Sequence, residues 1–180
     1  VLQVVPSGPG VGGGTLRELT LLAFLETDYE LVITTPYFVP DEATLTAILA
    51  LARSGVTTRL VLPRNNDSRL VAAASRAYYD QLLAAGVEIF EFHEGLLHSK
   101  TFAFDRQIGV VATTNLDRRS YELNYEVNLL VANQAFTQEL RDVQESYIEA
   151  SERIDSEAWA RRSRLRKLGQ NAAQLLAPLL

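Results

Sequence analysis

Strand-like and helix-like patterns alternate along residues 31–92, and this order restricts the fold more than any other feature of the sequence. Three apolar, β-branched runs are typical of strands, and the two amphipathic stretches between them are typical of helices. In chain order these segments are residues 31–35, 41–54, 57–63, 65–85 and 87–92. Each predicted helix is followed by a glycine, Gly55 or Gly86, which often terminates a helix. Such alternation predicts a layered α/β domain with a largely parallel sheet.

The second half of the chain departs from this pattern and predicts a mixed sheet. Residues 100–104 and 108–113 are apolar runs separated by a short polar turn, which indicates a hairpin of antiparallel strands. Residues 125–131 alternate as a further strand, and residues 134–153 form an amphipathic helical pattern. We therefore predict an α/β fold class, with a mixed β-sheet flanked by helices on both faces.

Composition agrees with one globular domain that needs no bound metal. The 180 residues are 47% hydrophobic and 22% charged, which suffices for a buried core. Cys is absent, and this excludes disulfides, thiolate metal ligands and a cysteine nucleophile. No carboxylates are spaced as metal ligands, so we expect neither a metal nor another cofactor. Met is absent even at position 1, so we expect a piece of a longer chain.

Charge is distributed unevenly between the body of the chain and its tail. Residues 159–180 hold five basic side chains and no acid, which leaves −10 for residues 1–158 of a chain whose net charge is −5. Nucleic-acid-binding proteins usually carry positive charge on the body, so we expect no nucleic acid as a partner. Residues 159–180 predict a basic amphipathic helix that suits an anionic membrane surface, although a helix docked on the domain fits almost as well.

Five polar residues have positions that could bring them together. Alternation places His98 and Lys100 on one face of a strand. Thr113 and Asn115 emerge together at the end of the next strand, and Glu126 begins the one after that. Such a set fits a phosphodiester, whose oxygens Lys100 and Asn115 would hold. Glu126 would fix the tautomer of His98. Taken singly, each residue would be an ordinary solvated or core side chain.

The same stretch resembles a known motif. His98, Lys100 and Asp105 match the HxKxxxxD pattern of the phospholipase D superfamily, and Thr113-Thr114-Asn115 resembles its downstream Ser/Thr and Asn. Essentially all of the chain resembles the C-terminal half of bacterial cardiolipin synthases. The flanking segments that carry this resemblance are 34–40, 62–68, 74–76, 95–98, 115–120 and 124–127. The chain departs from the family at Ala112, usually Gly, and in having one motif where such members carry two.

Pattern and resemblance together define candidate residues for two roles. The expected catalytic set is His98, Lys100, Asp105 and Glu126. The expected phosphate-binding set is Lys100, Thr113 and Asn115. Asp105 follows a strand, where we expect it to accept hydrogen bonds from a neighbouring turn rather than to carry a proton. Tyr37 lies on a strand-end loop and could either line the cleft or pack in the core.

The resemblance implies that residues 1–158 are a phospholipase D-like catalytic half-domain, one half of a two-domain active site. The whole enzyme would convert one phosphatidylglycerol to a phosphatidyl-histidine with release of glycerol. It would then transfer the phosphatidyl group to a second phosphatidylglycerol, giving cardiolipin. One imidazole cannot stand on both sides of phosphorus, so a second histidine is needed. It would come from the N-terminal half or from a symmetric second copy, and we expect this fragment alone to be inactive.

The residues leave several alternatives open. We favour an acid/base role for His98, with the nucleophile as the other possibility. The same fold could serve a homodimeric single-motif phosphodiesterase or nuclease, or a non-catalytic binding module. We expect the full-length protein at the bacterial cytoplasmic membrane and the fragment itself to be soluble or peripheral.

Overall fold

A mixed sheet forms the centre of the fold. The computed structural model describes residues 1–10 and 14–175, apart from the side chain of Arg166. Its strands are β1 Leu2–Ser7, β2 Glu30–Thr34, β3 Phe38–Val39, β4 Thr57–Pro63, β5 Glu88–Phe92, β6 Thr101–Phe104, β7 Ile108–Ala112, β8 Leu116–Asp117, β9 Glu126–Ala132 and β10 Ser151–Arg153. In this part of the chain, β3 pairs with β8, and the other eight strands form one sheet in the order β1-β9-β7-β6-β2-β4-β5-β10.

Strand direction in the large sheet follows the sequence pattern. β2, β4 and β5 are parallel, because a helical crossover connects each to the next. β6 is antiparallel to both β2 and β7, and β7 is antiparallel to β9. The predicted mixed α/β sheet is therefore confirmed, together with the hairpin formed by β6 and β7.

Helices cover both faces of the sheet, as predicted. They are α1 Thr15–Leu25, α2 Glu42–Arg53, α3 Arg69–Ala77, α4 Tyr79–Ala84, α5 Arg118–Glu122, α6 Gln134–Glu149, α7 Ser156–Ala160 and α8 Arg164–Leu175. Successive strand residues point to opposite faces. Leu60 accordingly joins the core cluster that contains Ile48 of α2, while Val61 and Phe90 pack on the other face against Tyr147 of α6.

Close packing holds α6 against the strands that lead to the site. A Cβ atom on Gly109 of β7 would lie 2.9 Å from the ring of Phe136, so only glycine fits there without displacement of α6. Gln144 is fully buried and donates to Thr101 Oγ1 at 2.9 Å and to the Val32 carbonyl at 3.3 Å. These contacts fix α6 on β2, β6 and β7.

Two helices differ from their predicted lengths. The helix predicted over 65–85 begins after Ser68, whose side chain accepts from the Val71 N–H, and it is divided at Tyr78 into α3 and α4. The helix predicted over 134–153 ends at Glu149, and Ser151–Arg153 instead form β10 along the edge of β5. A strand of three residues is too short to show an alternating pattern. Its partner is also distant in the sequence, so no local signal indicates the pairing.

The C-terminal segment docks on the domain at three points. The Trp159 ring lies 4.9 Å from the Tyr79 ring, centroid to centroid. Arg162 forms an ion pair with Asp80 at 2.6 Å and lies over the Trp159 ring at 4.5 Å. Ala173 of α8 is buried in the core cluster. These contacts account for one side of the segment.

The other side of the segment carries exposed apolar residues. Leu165, Leu168 and Leu175 of α8 are exposed. The single helix expected over 159–180 is thus represented by the end of α7 and by α8, and residues 176–180 lie outside the described residues. Among the helices described, none combines the length and the apolar character needed to span a membrane.

Candidate active site

The candidate residues lie at one edge of the large sheet. Thr101 of β6 pairs with Val111 of β7, and Ala112 pairs with Asn128 of β9. The chain before β6, the end of β7 and the start of β9 are therefore side by side, which is the condition under which the five polar residues could come together. The end of β2 reaches the same edge, since Thr34 pairs with Thr101. The strand ends on this side of the sheet carry His98, Lys100, Thr113, Asn115 and Glu126.

His98 and Lys100 contact each other at this edge. Lys100 Nζ lies 3.2 Å from His98 Nδ1 and 3.1 Å from the main-chain oxygen of His98. Because an ammonium group only donates, Nδ1 accepts, and the proton of the neutral ring lies on Nε2. His98 is exposed, and its Nε2 has no hydrogen-bond partner among the described residues. Nε2 is therefore the ring nitrogen available to a substrate.

Lys100 is a half-buried cation among carboxylates. Burial lowers the pKa of its ammonium group, and the nearby charges of Glu126, Asp117 and Asp67 oppose that shift. Three carboxylates therefore lie near enough to the Lys100 ammonium to affect its pKa. Within the residues described, no three His, Asp or Glu side chains gather as a metal-binding group.

Glu126 has partners other than the one expected. Its carboxylate accepts a short hydrogen bond from Thr113 Oγ1 and another from Asn124 Nδ2 at 3.1 Å. In the described part of the chain it makes no hydrogen bond with His98. The tautomer of His98 is instead set by Lys100, which lies two residues further along the chain. Glu126 and Thr113 form a pair that joins β9 to the end of β7.

Asn115 and Asp117 lie on the segment that follows β7. Asn115 is half-buried, and its Nδ2 lies 3.4 Å from Ser120 Oγ. Asp117 is buried and accepts from the Ser120 N–H at 2.7 Å, which makes it the N-cap of α5. Burial raises the pKa of the Asp117 carboxyl, although hydrogen bonds from Ser120 and Asn115 oppose the shift. Local structure holds both residues, and Asp117 lies near enough to Lys100 to affect its pKa.

Tyr37 lines the cleft and contacts His98. The two ring centroids lie 6.4 Å apart at an interplanar angle of 88°, an edge-to-face arrangement. The Tyr37 hydroxyl donates to the Asp67 carboxylate at 2.8 Å. Burial, together with this carboxylate, raises the pKa of Tyr37 to about 12. The phenol therefore keeps its proton at neutral pH and links Asp67 to the imidazole.

Asp105 lies outside this cleft. It follows β6, whereas His98 and Lys100 precede it, which separates them by roughly 20 Å of extended chain. The Asp105 carboxylate accepts from the main-chain N–H groups of Asp28, Tyr29 and Glu30 at 2.7–2.9 Å. Its place in the expected catalytic set came from the motif, and its contacts are those of a residue that fixes a turn.

A cavity of about 380 Å³ adjoins the site. Its lining residues are Tyr37, Val39, Ser68, Val71, Asn115, Asp117, Arg119 and Asn124. Three of these connect it to the candidate residues: Tyr37 contacts His98, Asn124 donates to Glu126, and Asp117 lies near enough to affect the Lys100 pKa. The cavity has both polar and apolar walls, as small-molecule sites commonly do.

Three residues of this region were not predicted from the sequence: Asp67, Asn124 and Arg119. Asp67 follows the end of β4 and Tyr37 follows the end of β2. Loops after adjacent parallel strands meet at one edge, so strand order was the signal that pointed to Asp67. Asn124 and Arg119 belong to the segment between β7 and β9, whose course cannot be read from periodicity.

Comparisons with known proteins agree on one family and one fold. A family model described as the phospholipase D-like domain of cardiolipin synthase matches residues 21–148. Cardiolipin synthase A of Buchnera aphidicola subsp. Acyrthosiphon pisum (strain APS) is 41% identical over 179 residues, which is 99% of this chain and 37% of that protein. The chain therefore spans little more than a third of the length of this relative.

Solved structures share the fold at low sequence identity. Nuc from Salmonella typhimurium, a phospholipase D family member, superposes with a TM-score of 0.74 at 15% identity and covers 87% of this chain and 99% of its own. Phosphatidylserine synthase from Haemophilus influenzae Rd KW20 superposes with a TM-score of 0.72 at 19% identity and covers 99% of this chain and 46% of its own. At such identities the likeness concerns the fold.

Proposed function

This chain belongs to the family of phospholipase D-like domains of cardiolipin synthases, and on that premise we propose that it is one half of a phosphatidyltransferase. The proposed enzyme makes cardiolipin and glycerol from two molecules of phosphatidylglycerol through a phosphatidyl-histidine intermediate. The fragment alone is inactive in this proposal, because the second histidine lies in the rest of the protein.

The pairing of His98 with Lys100 is the observation that carries this proposal. An imidazole and an ammonium 3.2 Å apart at an exposed sheet edge provide a proton-exchanging nitrogen beside a cation for phosphate. A phosphodiester oxygen would compete with His98 Nδ1 for the Lys100 ammonium. Substrate binding would then free Nδ1 to carry a proton, so that both ring nitrogens can take part in proton exchange.

Local charge supports the idea that the site is incomplete. Glu126, Asp117 and Asp67 lie near enough to Lys100 to affect its pKa, so their negative charge weakens the attraction of this half-site for an anionic phosphodiester. A second half-domain would supply further cations and the second imidazole. The chain spans 37% of the length of its Buchnera relative, which leaves ample sequence for such a half.

The proposed reaction has two balanced steps, and we assign His98 the acid/base role. First, the other histidine forms an N–P bond with phosphatidylglycerol while the bond from phosphorus to the glycerol oxygen breaks, and His98 gives that oxygen a proton. Second, the hydroxyl of another phosphatidylglycerol forms a new P–O bond as the N–P bond breaks, and its proton passes to His98. The histidines are regenerated, and no oxidant or reductant is consumed.

The test uses the full-length protein with phosphatidylglycerol in mixed micelles. We expect equal amounts of cardiolipin and glycerol from the wild type, and no product from residues 1–180 alone. Turnover by residues 1–180 at the rate of the full-length protein would contradict the half-site proposal. Unchanged activity of His98→Asn would favour a non-catalytic module, and cleavage of DNA in place of lipid transfer would favour the nuclease alternative.

Trapping the intermediate tests the role of His98. Acid-labile phosphatidyl adducts can be captured by rapid quenching and located by mass spectrometry of peptides. We expect the adduct on a histidine outside residues 1–180. An adduct on His98 would reverse the assignment and make His98 the nucleophile.

We also propose that α8 contacts an anionic membrane surface, which suits a full-length protein at the bacterial cytoplasmic membrane. Leu165, Leu168 and Leu175 are exposed on α8, and Arg164 and Lys167 lie on the same helix. Arg162 is committed to Asp80 and contributes little to such a surface. Each free cation near anionic lipid adds about 1 kcal/mol, so burial of the leucines must supply much of the binding.

Flotation of the chain with vesicles tests this contact. We expect binding to phosphatidylglycerol vesicles, weaker binding to phosphatidylcholine vesicles, and loss of both on Leu165→Gln with Leu168→Gln. Leu25→Gln is the control, because Leu25 is exposed on α1, away from the tail. Equal flotation of the tail variant and the wild type would rule out the proposed contact.

A further inference from the structure

Two adjacent arginines on α5 have different environments. Arg118 forms an ion pair with Glu122 at 2.8 Å. Arg119 lines the cavity that adjoins the site of His98 and Lys100. Among the described residues its guanidinium has no ion-pair partner. Both side chains belong to exposed residues. Arg119 therefore presents a free cation to the cavity, whereas its neighbour is neutralised.

The cavity connects Arg119 to the place where phosphorus would be attacked. Tyr37 and Asn115 line it on the side of His98 and Lys100, and Asn124 links it to Glu126. Asp117 and Asn124 add polar groups to its lining. A ligand that fills the cavity would thus contact Arg119 and also Tyr37, whose ring contacts His98.

We propose that Arg119 binds the phosphodiester of the acceptor lipid, while the cavity holds the glycerol that becomes the bridge of cardiolipin. This inference rests on the proposed function. The acceptor phosphatidylglycerol carries its own phosphate, which three glycerol carbons separate from the hydroxyl that attacks. A planar guanidinium can donate two parallel hydrogen bonds to phosphate oxygens, a fixed bidentate geometry that the ammonium of a lysine does not offer. The polar groups of Asp117 and Asn124 suit the remaining hydroxyl of the bridging glycerol.

The inference predicts that two acceptors of the same phosphatidyl-enzyme depend differently on Arg119. Transfer to phosphatidylglycerol needs the acceptor phosphate, so it depends on Arg119. Transfer to free glycerol needs no second phosphate and simply reverses the first step. In each case the acceptor oxygen forms a P–O bond, the N–P bond to histidine breaks, and the hydroxyl proton passes to His98. The ratio of the two products measures recognition of the acceptor phosphate alone.

The experiment measures this ratio with the full-length protein. Phosphatidylglycerol micelles are mixed with radiolabelled glycerol, and cardiolipin formation is compared with label incorporated into phosphatidylglycerol. We expect Arg119→Gln to lower the ratio of cardiolipin to labelled phosphatidylglycerol by about 10- to 100-fold, the worth of a charge-assisted hydrogen bond to phosphate. Arg119→Lys should restore part of the ratio, and the control Arg118→Gln should leave it unchanged.

Each outcome bears on the inference in a distinct way. Because the ratio cancels the amount of folded enzyme and the first chemical step, a folding defect in Arg119→Gln would lower both products and leave the ratio intact. An intact ratio, with or without lower activity, overturns the inference while the proposed function stands. A wild-type protein that exchanges glycerol but forms no cardiolipin would overturn the proposed function and the inference with it.

Discussion

The two ends of β6 carry residues of the same HxKxxxxD motif in opposite environments. His98 and Lys100 precede the strand, and the Lys100 ammonium donates to the His98 ring and to the His98 main-chain oxygen. Asp105 follows the strand, and its carboxylate accepts three main-chain hydrogen bonds from residues 28–30. One end leaves polar groups available to a ligand, and the other end satisfies them within the protein.

This difference indicates that one motif can place some residues in a candidate site and use another to hold the fold together. Asp105 and Arg106 have φ angles of 49° and 55°, in the left-handed region that Asp and Asn tolerate best among residues with a Cβ atom. The Asp105 N–H also donates to the Glu30 carbonyl at 2.9 Å. These contacts fix the register of β6 against β2, and a slip of one residue would turn His98 and Lys100 to the other face.

The largest effect on activity is expected at the end of β6 that carries His98 and Lys100. His98→Asn in the full-length protein should lower cardiolipin formation by about 10²- to 10⁴-fold, the usual worth of a positioned proton donor. Because His98 is exposed, the free energy of unfolding should change by less than about 0.5 kcal/mol. Steady-state kinetics and urea denaturation check the two parts. His93→Asn is the matched control, since His93 is exposed on a loop and should leave activity unchanged.

The end of β6 that carries Asp105 should show the reverse, with a larger loss of stability and a smaller loss of activity. Asp105→Ala removes the acceptor of three main-chain hydrogen bonds and should lower the free energy of unfolding by about 1–3 kcal/mol. Asp105→Asn should lose less, because Asn tolerates the left-handed conformation and keeps one acceptor oxygen. Urea denaturation gives both values. If activity per folded molecule fell as far as in His98→Asn, the division of labour between the ends of β6 would be refuted.

Asp67→Asn tests the electrostatics around Lys100 through the pH dependence of activity. The Asp67 carboxylate raises the pKa of Lys100 against the lowering effect of burial, so its removal should lower that pKa further. If phosphate binding needs the ammonium, activity declines as pH rises through its pKa. The alkaline limb of kcat/KM should therefore move to lower pH in Asp67→Asn. A limb that stayed in place or moved upward would contradict the assignment of Lys100 as the phosphate cation.

The smallest effect is expected away from both ends, at the ion pair between Arg162 and Asp80. Arg162 lowers the pKa of Asp80, so the pair stabilises the fold above the pKa of the unfolded carboxyl, about 3.9. That stability is lost as pH falls through the lower folded value. Asp80 is half exposed, so its pair with Arg162 should contribute at most about 1 kcal/mol. Thermal unfolding of wild type and Asp80→Asn should differ at pH 7 and converge as pH falls below about 4.

Local features of the sequence were sufficient to predict the layers of the fold. The segment predicted as a strand over 57–63 is β4, and Asp41 and Ser68 cap α2 and α3 through their side chains. Period and capping are local because they depend on neighbours within a few residues. The same holds for the HxKxxxxD motif, whose alternation alone places His98 and Lys100 on one face.

Contacts between distant residues were decided by the tertiary structure. Alternation along the strand indicates the face on which Glu126 lies. Only the strand order and the course of the loops determine that its partners are Thr113 and Asn124. The approach of Asp67 to Tyr37 and the free guanidinium of Arg119 at the cavity likewise depend on segments that are far apart in the chain. The sequence by itself determined which residues are candidates for the site, because residue type and spacing are local. Their partners depend on long-range packing, which no local pattern encodes.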